Sequence, residues 1–347
     1  MPKSLLPLLA VLGIGGYFFL QNFEIDGLDQ LHIEPRGQQA SSNGGGGGAP
    51  SFSGSATAPS MPAAGGGTTG GGAPRDGRSI RVCSFNIQVF GESKLAKPEV
   101  VDVLVNIIRR FDVVAVQEVR ATSQEVLPRF RDAINADGSS FDFVLGPRLG
   151  RTNSKEQYAF LFNTNTIEVD RQATYTVQDP YDLLHREPLV ASFRARGTIP
   201  ERAFTFTLVN IHTDPDEVAG EVDALDDVVR AVRDDGRGED DVMLLGDLNA
   251  DEGHFGQLGQ MPYITWAIRG IPTNTRGTKQ YDNILFDERA TIEYTGASGV
   301  LDMLREFNLS MDQALTVSDH MPIWAEFSTE EGGVGSDFAR QPAGAVR

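Results

Sequence analysis

The sequence, 347 residues long, predicts an α/β protein built from layered, mixed β-sheets. Short runs rich in Val, Ile, Leu and Phe recur between residues 79 and 327 and are typical of buried or half-buried strands. Two segments, 98–110 and 217–233, instead place apolar residues at helical spacing. Several strand runs follow one another with no helix between them, which indicates hairpins and mixed rather than purely parallel sheets.

The predicted elements run through one globular region, residues 78–329. A strand at 79–89, a helix at 98–110 and a strand at 112–117 come first. Further strands are predicted at 158–162, 189–193, 204–211 and 241–245, with the helix 217–233 between the last two. Late strands at 283–286 and 322–327 complete the region. With 40% hydrophobic residues, the chain has enough apolar material for a substantial core.

Residues 1–23 contain an uncharged apolar run, LLPLLAVLGIGGYFFL, which is expected to form a helical membrane anchor. As a helix the run would reach roughly 24 Å, slightly less than a bilayer core. Lys3 precedes it and Glu24 follows it, so the rest of the chain is expected outside the cytoplasm. The alternative is a signal peptide, whose cleavage would give a secreted protein, although no clear A-x-A-like site follows the run.

Residues 24–77 are expected to form a flexible linker and residues 330–347 a disordered tail. Between 38 and 77 the chain is dominated by Gly, Ser, Ala and Pro, and it holds too few large apolar side chains to offset the entropy of ordering. A tether of about 40 residues places its ends on the order of 35 Å apart. An apolar segment followed by such a tether suits the display of a domain off a membrane.

Charge and motifs exclude several classes of protein. A net charge of −18 argues against a tight nucleic-acid-binding module, but an enzyme needs only a local phosphate site and a bound cation. Cys83 is the single cysteine, so it forms no intramolecular disulfide and is expected to be a buried thiol. The chain lacks a G-x-S-x-G elbow, an H-E-x-x-H zinc motif and a Walker-type loop.

Polar residues recur where the predicted strands end, which is where rigid elements position active-site groups. They are Asn86, Glu118, His212, Asp247, Asn249, Asp282, Asp319 and His320. The interior of a sheet sandwich has no reason to hold this many carboxylates, because each needs a partner or a cation. The set therefore predicts one shared polar site.

Taken singly, these residues have simpler interpretations. Glu118 fits a solvent-facing carboxylate at a strand end, and Asp247 and Asn249 fit ordinary turn formers. As functional groups, Glu118 is a hard oxygen ligand for Mg²⁺, while Asp247 and Asn249 share one face if the chain is extended. His212 and His320 are suited to acid and base catalysis because imidazole titrates near neutrality.

The ordered series SFN, VQE, GRTNSKEQY, REP, VNIH, GDLN, YDN and SDH resembles the endonuclease/exonuclease/phosphatase superfamily, and within it the deoxyribonuclease I group. The resemblance covers residues 80–327, essentially the whole globular region. It implies a four-layer α/β sandwich, in which two packed mixed β-sheets are flanked by helices. It also implies a divalent-metal-dependent phosphodiesterase.

The same resemblance implies roles for individual residues. Asn86 and Glu118 would help to hold the catalytic metal, with Asp319 nearby. The cofactor is expected to be Mg²⁺, with Mn²⁺ and Ca²⁺ as alternatives. Arg186, in the REP motif, would hold the scissile phosphate, and Arg120 matches a position near the DNA minor groove.

Two carboxylate–imidazole pairs are also implied, His212 with Glu156 and His320 with Asp282. Two further residues would orient the attacking water or a second metal and stabilise the developing charge; they are Asp247 and Asn249. The chain departs from the group where Ser154 replaces a DNA-contacting tyrosine, which weakens the DNA-groove interpretation. It also lacks the half-cystine pairs of the secreted animal enzymes.

The sequence thus predicts an Mg²⁺-dependent endonuclease that hydrolyses DNA by in-line attack of water, tethered to a membrane. One alternative is a phosphoinositide or sphingomyelin phosphoesterase of the same superfamily. Another is a membrane-tethered binding domain without catalysis. No obligate protein partner is indicated.

Overall fold

The computed structural model describes residues 77–152 and 155–332. These residues form two six-stranded mixed β-sheets packed face to face, with helices against both outer faces. The predicted four-layer α/β sandwich is therefore confirmed. The predicted N-terminal helix and nearly all of the predicted linker lie outside the described residues, as does Ser154. Within residues 77–152 and 155–332, no helix is both long and apolar enough to cross a membrane.

The first sheet comprises β1 (Ser79–Phe90), β2 (Val113–Val119), β3 (Phe141–Leu145), β4 (Gln157–Asn163), β11 (Tyr294–Val300) and β12 (Ile323–Ser328). Their order across the sheet is β11-β12-β1-β2-β4-β3. Strands β1 and β2 are parallel, and the other neighbours are antiparallel.

The second sheet comprises β5 (Ile167–Thr176), β6 (Leu189–Ala195), β7 (Thr205–His212), β8 (Val242–Asp247), β9 (Ile264–Trp266) and β10 (Asp282–Asp287). Their order is β5-β6-β7-β8-β10-β9. Strands β7 and β8 are parallel, and the remaining neighbours are antiparallel. Each sheet therefore has a parallel pair of strands at its centre. The carboxyl ends of both strands in a pair lie at the same edge of the sheet.

Helices cover both outer faces. Those on the first sheet are α1 (Glu92–Leu95), α2 (Pro98–Ile108), α3 (Val126–Ile134), α5 (Met303–Glu306) and α6 (Met311–Val317). The second sheet is covered by α4 (Val218–Arg233). Short 3₁₀ turns span Asn135–Asp137, Pro200–Arg202 and Leu258–Gln260. Helix α2 begins with Pro98, whose missing amide hydrogen costs nothing in the first turn.

The core between the sheets is mostly aromatic and aliphatic, but a buried polar bridge crosses it near the site. The Gln117 amide on β2 donates a hydrogen bond to the Asn210 side-chain oxygen on β7, at 2.7 Å. The Asn210 amide in turn donates to the carbonyls of Val116 and Ala159. Because an unpaired buried amide is costly, this bridge favours one alignment of the two sheets.

All eight central strands were predicted, whereas four strands were missed: β3, β5, β9 and β11. Each of the four lies at the edge of a sheet. Edge strands are partly exposed, as in β5, where most residues are not buried. Their apolar alternation is therefore weak, and sequence patterns detect them poorly.

The ordered chain also continues past the predicted domain end at residue 329. Glu330 forms an isolated β-bridge with Ala203, and the Gly332 amide donates to Glu293 Oε1 at 2.6 Å. The predicted tail therefore begins with three residues that pack against both sheets, and residues 333–347 lie outside the described part.

Candidate active site

The site forms at the edge where the central parallel strands end. Asn86 lies in β1 and Glu118 near the end of β2. His212 ends β7 and pairs across the sheet with Asp247, which ends β8. Asp282, the first residue of the antiparallel β10, also pairs with Asp247. Strand direction and register therefore bring residues from distant parts of the chain to one place.

Two carboxylate–imidazole pairs are present, as the resemblance implied. His212 Nδ1 lies 2.7 Å from Glu156 Oε1, and His320 Nδ1 lies 2.9 Å from Asp282 Oδ2. Thr273 donates its hydroxyl hydrogen to the same Asp282 oxygen at 2.6 Å. A carboxylate on Nδ1 fixes the ring and leaves Nε2 for proton exchange.

Both Nε2 atoms are directed toward one oxygen of Asp247. His212 Nε2 is 3.5 Å and His320 Nε2 is 3.4 Å from Asp247 Oδ2. The other oxygen, Oδ1, accepts a hydrogen bond from the backbone N–H of Asn249 at 3.0 Å. Asp247 is thus the common point between two imidazoles, which is the geometry of a two-histidine acid–base site.

Burial and charge shift the pKa values of these groups in opposite directions. Burial by itself would lower the pKa of His320, but the negative charges of Asp282 and Asp247 raise it well above its usual value. Burial likewise opposes the raised pKa of His212, which results from Glu156 and then Asp247. Both imidazoles therefore bind a proton more tightly than a free histidine does, because carboxylates surround them.

Arg186 and Arg120 lie on the Glu156 side of the site. Arg186 Nε is 2.7 Å from Glu156 Oε1, and its Nη1 donates to the His212 carbonyl at 2.9 Å. Burial raises the pKa of Glu156, but His212 and the two arginines lower it below its usual value overall. Arg120 Nε lies 3.1 Å from Glu118 and 3.4 Å from Glu156, between the two carboxylates.

The residues predicted to bind metal provide a hard-oxygen donor set. The Asn86 side-chain amide donates to Glu118 Oε1 at 3.1 Å and to Asp247 Oδ2 at 3.0 Å. Its oxygen accepts from the Gln88 amide, which leaves one lone pair for a cation. Asp319 Oδ1 is buried without a hydrogen-bond partner, 3.9 Å from His320 Nε2. An orphaned carboxylate oxygen near His320, together with the oxygens of Asn86 and Glu118, is the donor chemistry that suits a divalent cation.

The backbone around the site is strained. Four non-glycine residues near the site have a positive φ angle: Gln88 (45°), Val89 (50°), Glu118 (60°) and Asn249 (49°). Such conformations cost on the order of 1–3 kcal/mol each and persist only where the surroundings hold them. Gly246, with φ 152°, also stands where an added Cβ would lie 1.9 Å from the Ile211 carbonyl oxygen. The glycine of GDLN is therefore required by close packing.

Sequence reasoning missed Lys94, a buried lysine of α1 that holds the strained end of β1. Its ammonium donates to the carbonyl oxygens of Ile87 and Val317 at 2.7 Å each, and to that of Gln88 at 2.5 Å. Burial lowers its pKa to about 8, although Asp319 and Glu118 oppose the shift. Lys94 thereby joins the end of β1, after Asn86, to the end of α6, just before Asp319. No local pattern in this short segment, ESKL, marks Lys94 as a buried lysine.

A groove of about 970 Å³ adjoins the site. Asn249 and Tyr281 lie on its wall together with Lys279. The Tyr281 ring centroid is 5.8 Å from that of His320, so one wall of the groove lies next to His320. Its size and mixed lining suit an extended polar ligand.

The fold and site define a layered α/β protein with a two-histidine, carboxylate-rich centre. The chain belongs to the Endonuclease/Exonuclease/phosphatase family, whose model matches residues 83–320. It is 32% identical over 263 residues to deoxyribonuclease gamma of Rattus norvegicus, covering 71% of this chain and 83% of the relative. It is 30% identical over 264 residues to deoxyribonuclease-1 of Bos taurus, covering 71% and 92%.

Solved structures show the same fold. The humanized TDP2 of D. rerio superposes with a TM-score of 0.52 at 15% identity, covering 72% of this chain and 98% of the other. D. rerio TDP2 in complex with a single-strand DNA product gives a TM-score of 0.51, also at 15% identity and with 72% and 98% covered. At this level of identity the likeness concerns the fold alone.

Proposed function

We propose that this protein is a divalent-metal-dependent endonuclease that hydrolyses the phosphodiester bonds of DNA by in-line attack of water. The observation that carries the proposal is the pair of imidazoles directed at Asp247 Oδ2, each held at Nδ1 by its own carboxylate. Two adjacent proton-transfer groups serve a reaction in which one proton is removed and another supplied.

In the proposed mechanism, one imidazole Nε2 takes a proton from water while the water oxygen bonds to phosphorus. The other gives a proton to the leaving oxygen as the P–O bond breaks, so protons balance over the cycle. Glu156 and Asp282 stabilise the imidazolium forms. Asp247 and Asn249 orient the attacking water, and the buried Arg186 guanidinium neutralises charge on the phosphoryl oxygens.

The cation proposed for this reaction is Mg²⁺, with Mn²⁺ and Ca²⁺ as alternatives. Glu118 and Asp319 would hold it with the remaining lone pair of the Asn86 oxygen, as their donor chemistry and the orphaned Asp319 Oδ1 support. When bound, it would supply positive charge to the developing oxyanion. Carboxylates plus substrate oxygens are the ligands that Mg²⁺ prefers.

DNA is proposed as the substrate because relatives at 30–32% identity over most of their length are named deoxyribonucleases. The net charge of −18 is consistent with binding through a small phosphate site rather than a broad basic surface. Arg120, partly exposed beside the catalytic carboxylates, is proposed to contact the DNA backbone or minor groove. A shallow dependence of affinity on salt is therefore expected.

We also propose that residues 1–23 anchor the protein to a membrane with the catalytic domain outside the cytoplasm, or direct secretion if they are cleaved. The apolar run, the charges around it and the Gly/Ser-rich tract behind it support this proposal. Mass spectrometry of the mature N-terminus, with fractionation of membranes, would distinguish the two forms. A cytoplasmic protein with an intact N-terminus would contradict both.

The proposed activity is tested with the full-length chain in detergent, on supercoiled plasmid DNA. Nicking is expected with Mg²⁺ and not with EDTA, and 5′-phosphate ends are expected in the products. Parallel reactions use phosphoinositide and sphingomyelin vesicles. Cleavage of lipid headgroups without nicking of DNA would replace this substrate assignment, and metal-independent nicking would contradict the mechanism.

A further inference from the structure

A second acidic cluster lies at the opposite end of the sandwich from the catalytic site. Asp241 directly precedes β8, whose other end is the catalytic Asp247. The two are six positions apart in extended chain, which places them roughly 20 Å from each other. Glu293 precedes β11 and Glu331 follows β12, so this cluster, termed here the distal cluster (Asp241, Glu293, Glu331), draws on both sheets.

The distal cluster has the dimensions of a cation site. One carboxylate oxygen from each of its three residues lies within 4.8 Å of the other two. Since Ca²⁺–oxygen bonds are about 2.3–2.6 Å long, two oxygens bound to one calcium ion are at most about 5 Å apart. Glu239 adjoins the cluster, and its side chain accepts a hydrogen bond from the Asp241 amide at 3.0 Å.

Unpartnered atoms, rather than acidity alone, indicate a ligand here. Asp241 and Glu293 are 1% and 4% exposed, yet Asp241 Oδ1 and Glu293 Oε2 have no hydrogen-bond partner in the described structure. The buried hydroxyl of Thr291 lies beside the Asp241 carboxyl and opposes the rise in its pKa, but it leaves Asp241 Oδ1 without a hydrogen bond. Within residues 77–152 and 155–332, Asp241 and Glu293 form no ion pair with a basic side chain. Buried carboxylate oxygens without partners destabilise the folded state unless they bind a cation or a proton.

We propose that the distal cluster binds a hard divalent cation, with Ca²⁺ favoured by its all-oxygen donors, and thereby fastens the C-terminal segment to the two sheets. Asp241 Oδ1 and Glu293 Oε2 supply the unpartnered oxygens, and Glu331 supplies the third carboxylate. Glu331 is tied by its amide to the Arg202 carbonyl at 2.9 Å, and Gly332 to Glu293. The cation therefore acts on the stability of the fold, at a distance from the chemistry.

The alternative to a cation in the distal cluster is a proton bound to one of its carboxylates. Burial, followed by the charges of Glu293 and Glu239, raises the pKa of Asp241 to about 9, so the metal-free carboxyl is protonated at neutral pH. Asparagine mimics the protonated carboxyl but binds a cation poorly. Asp241→Asn therefore separates the two occupants, and Glu293→Gln provides a second variant should the first fail to fold.

The test uses the full-length chain stripped with EDTA and then titrated with CaCl₂, followed by thermal melting and calorimetry. Calcium at about 100-fold above its Kd is expected to raise the wild-type Tm by about 5 °C or more. Asp241→Asn and Glu293→Gln are expected to bind one calcium ion fewer and to lose most of that rise. Glu201→Gln, which removes an exposed carboxylate, is the matched control, and Glu118→Gln reports calcium held at the catalytic site. Equal stoichiometry and equal Tm shifts in wild type and both distal variants would overturn the proposal.

Discussion

The two ends of strand β8 place acidic residues in different chemical settings. At one end Asp247 faces two imidazoles and the Asn86 amide, so its negative charge is compensated by protein groups. At the other end Asp241 meets further carboxylates, and one of its oxygens has no hydrogen-bond partner in the described structure. Both residues are 1% exposed, so burial does not account for the difference.

The comparison shows that neighbouring charges add to or oppose the effect of burial on the pKa of a buried acid. Asp241 has a pKa raised to about 9 because burial acts together with the like charges of Glu293 and Glu239. Glu156 is as deeply buried, but His212 and Arg186 lower its pKa. Glu156 is therefore kept ionised beside a proton carrier, whereas Asp241 requires a proton or a cation.

The largest expected effect is on proton transfer at the catalytic end. His320→Ala should reduce the rate of plasmid nicking by about 10²- to 10⁴-fold, because the acid–base pair loses one member. Circular dichroism should show that the variant remains folded. His32→Ala, a change in the predicted linker, is the control and should retain activity. Full activity of His320→Ala would show that the paired end has no catalytic role.

A smaller loss of activity is expected when the buried guanidinium of Arg186 is replaced by an ammonium group. Arg186→Lys keeps the charge but cannot hold Glu156 and the His212 carbonyl with one planar group. We expect kcat/KM for a defined oligonucleotide to fall by about 10- to 100-fold. The exposed Arg233→Lys should leave it unchanged. If Arg186→Lys were equally active, charge alone would suffice at this end.

The third prediction concerns the strained end of β1, which Lys94 holds. Lys94→Met removes three hydrogen bonds to backbone carbonyls, which should cost about 1–3 kcal/mol in the free energy of unfolding. Nicking is expected to slow by about tenfold as Asn86 and Asp319 lose their fixed positions. Urea denaturation and nicking assays measure both. The exposed Lys97→Met, three residues away, should change neither.

The smallest effect is expected at the distal end and depends on pH. The folded pKa of Asp241, about 9, exceeds the ordinary value of 3.8, so the folded state binds the proton more tightly. Its contribution to stability is complete below about pH 4 and is lost as pH rises toward 9. In EDTA at pH 7, Asp241→Asn should therefore be more stable than wild type by about 1–3 kcal/mol.

The same aspartate-to-asparagine substitution at the other end of β8 is expected to have different effects on activity and stability. Asp247→Asn should weaken activity strongly and bring no gain in stability, since Asp247 compensates two imidazoles. Urea denaturation between pH 4 and 9 measures both variants. A gain for Asp241→Asn that is the same at every pH would show that protonation of the carboxyl is not its cause.

The sequence was sufficient for the central architecture and for most of the polar site. Buried strands such as β8 carry continuous apolar runs, and their ends are marked by a polar residue such as Asp247. The half-exposed edge strands lacked that signal. The resemblance supplied partners that no local pattern reveals, such as Glu156 for His212. The catalytic roles of these residues remain predictions, which the variants above test.

What the sequence determined alone was therefore periodicity and residue type: which segments are buried strands or helices, and which polar groups end them. The tertiary structure decided which of those groups meet. Lys94, the Gln117–Asn210 bridge and the distal cluster join residues far apart in the chain. Their chemistry depends on distances of a few ångströms between strands of different sheets, and such distances are set by packing and register, which no local pattern contains.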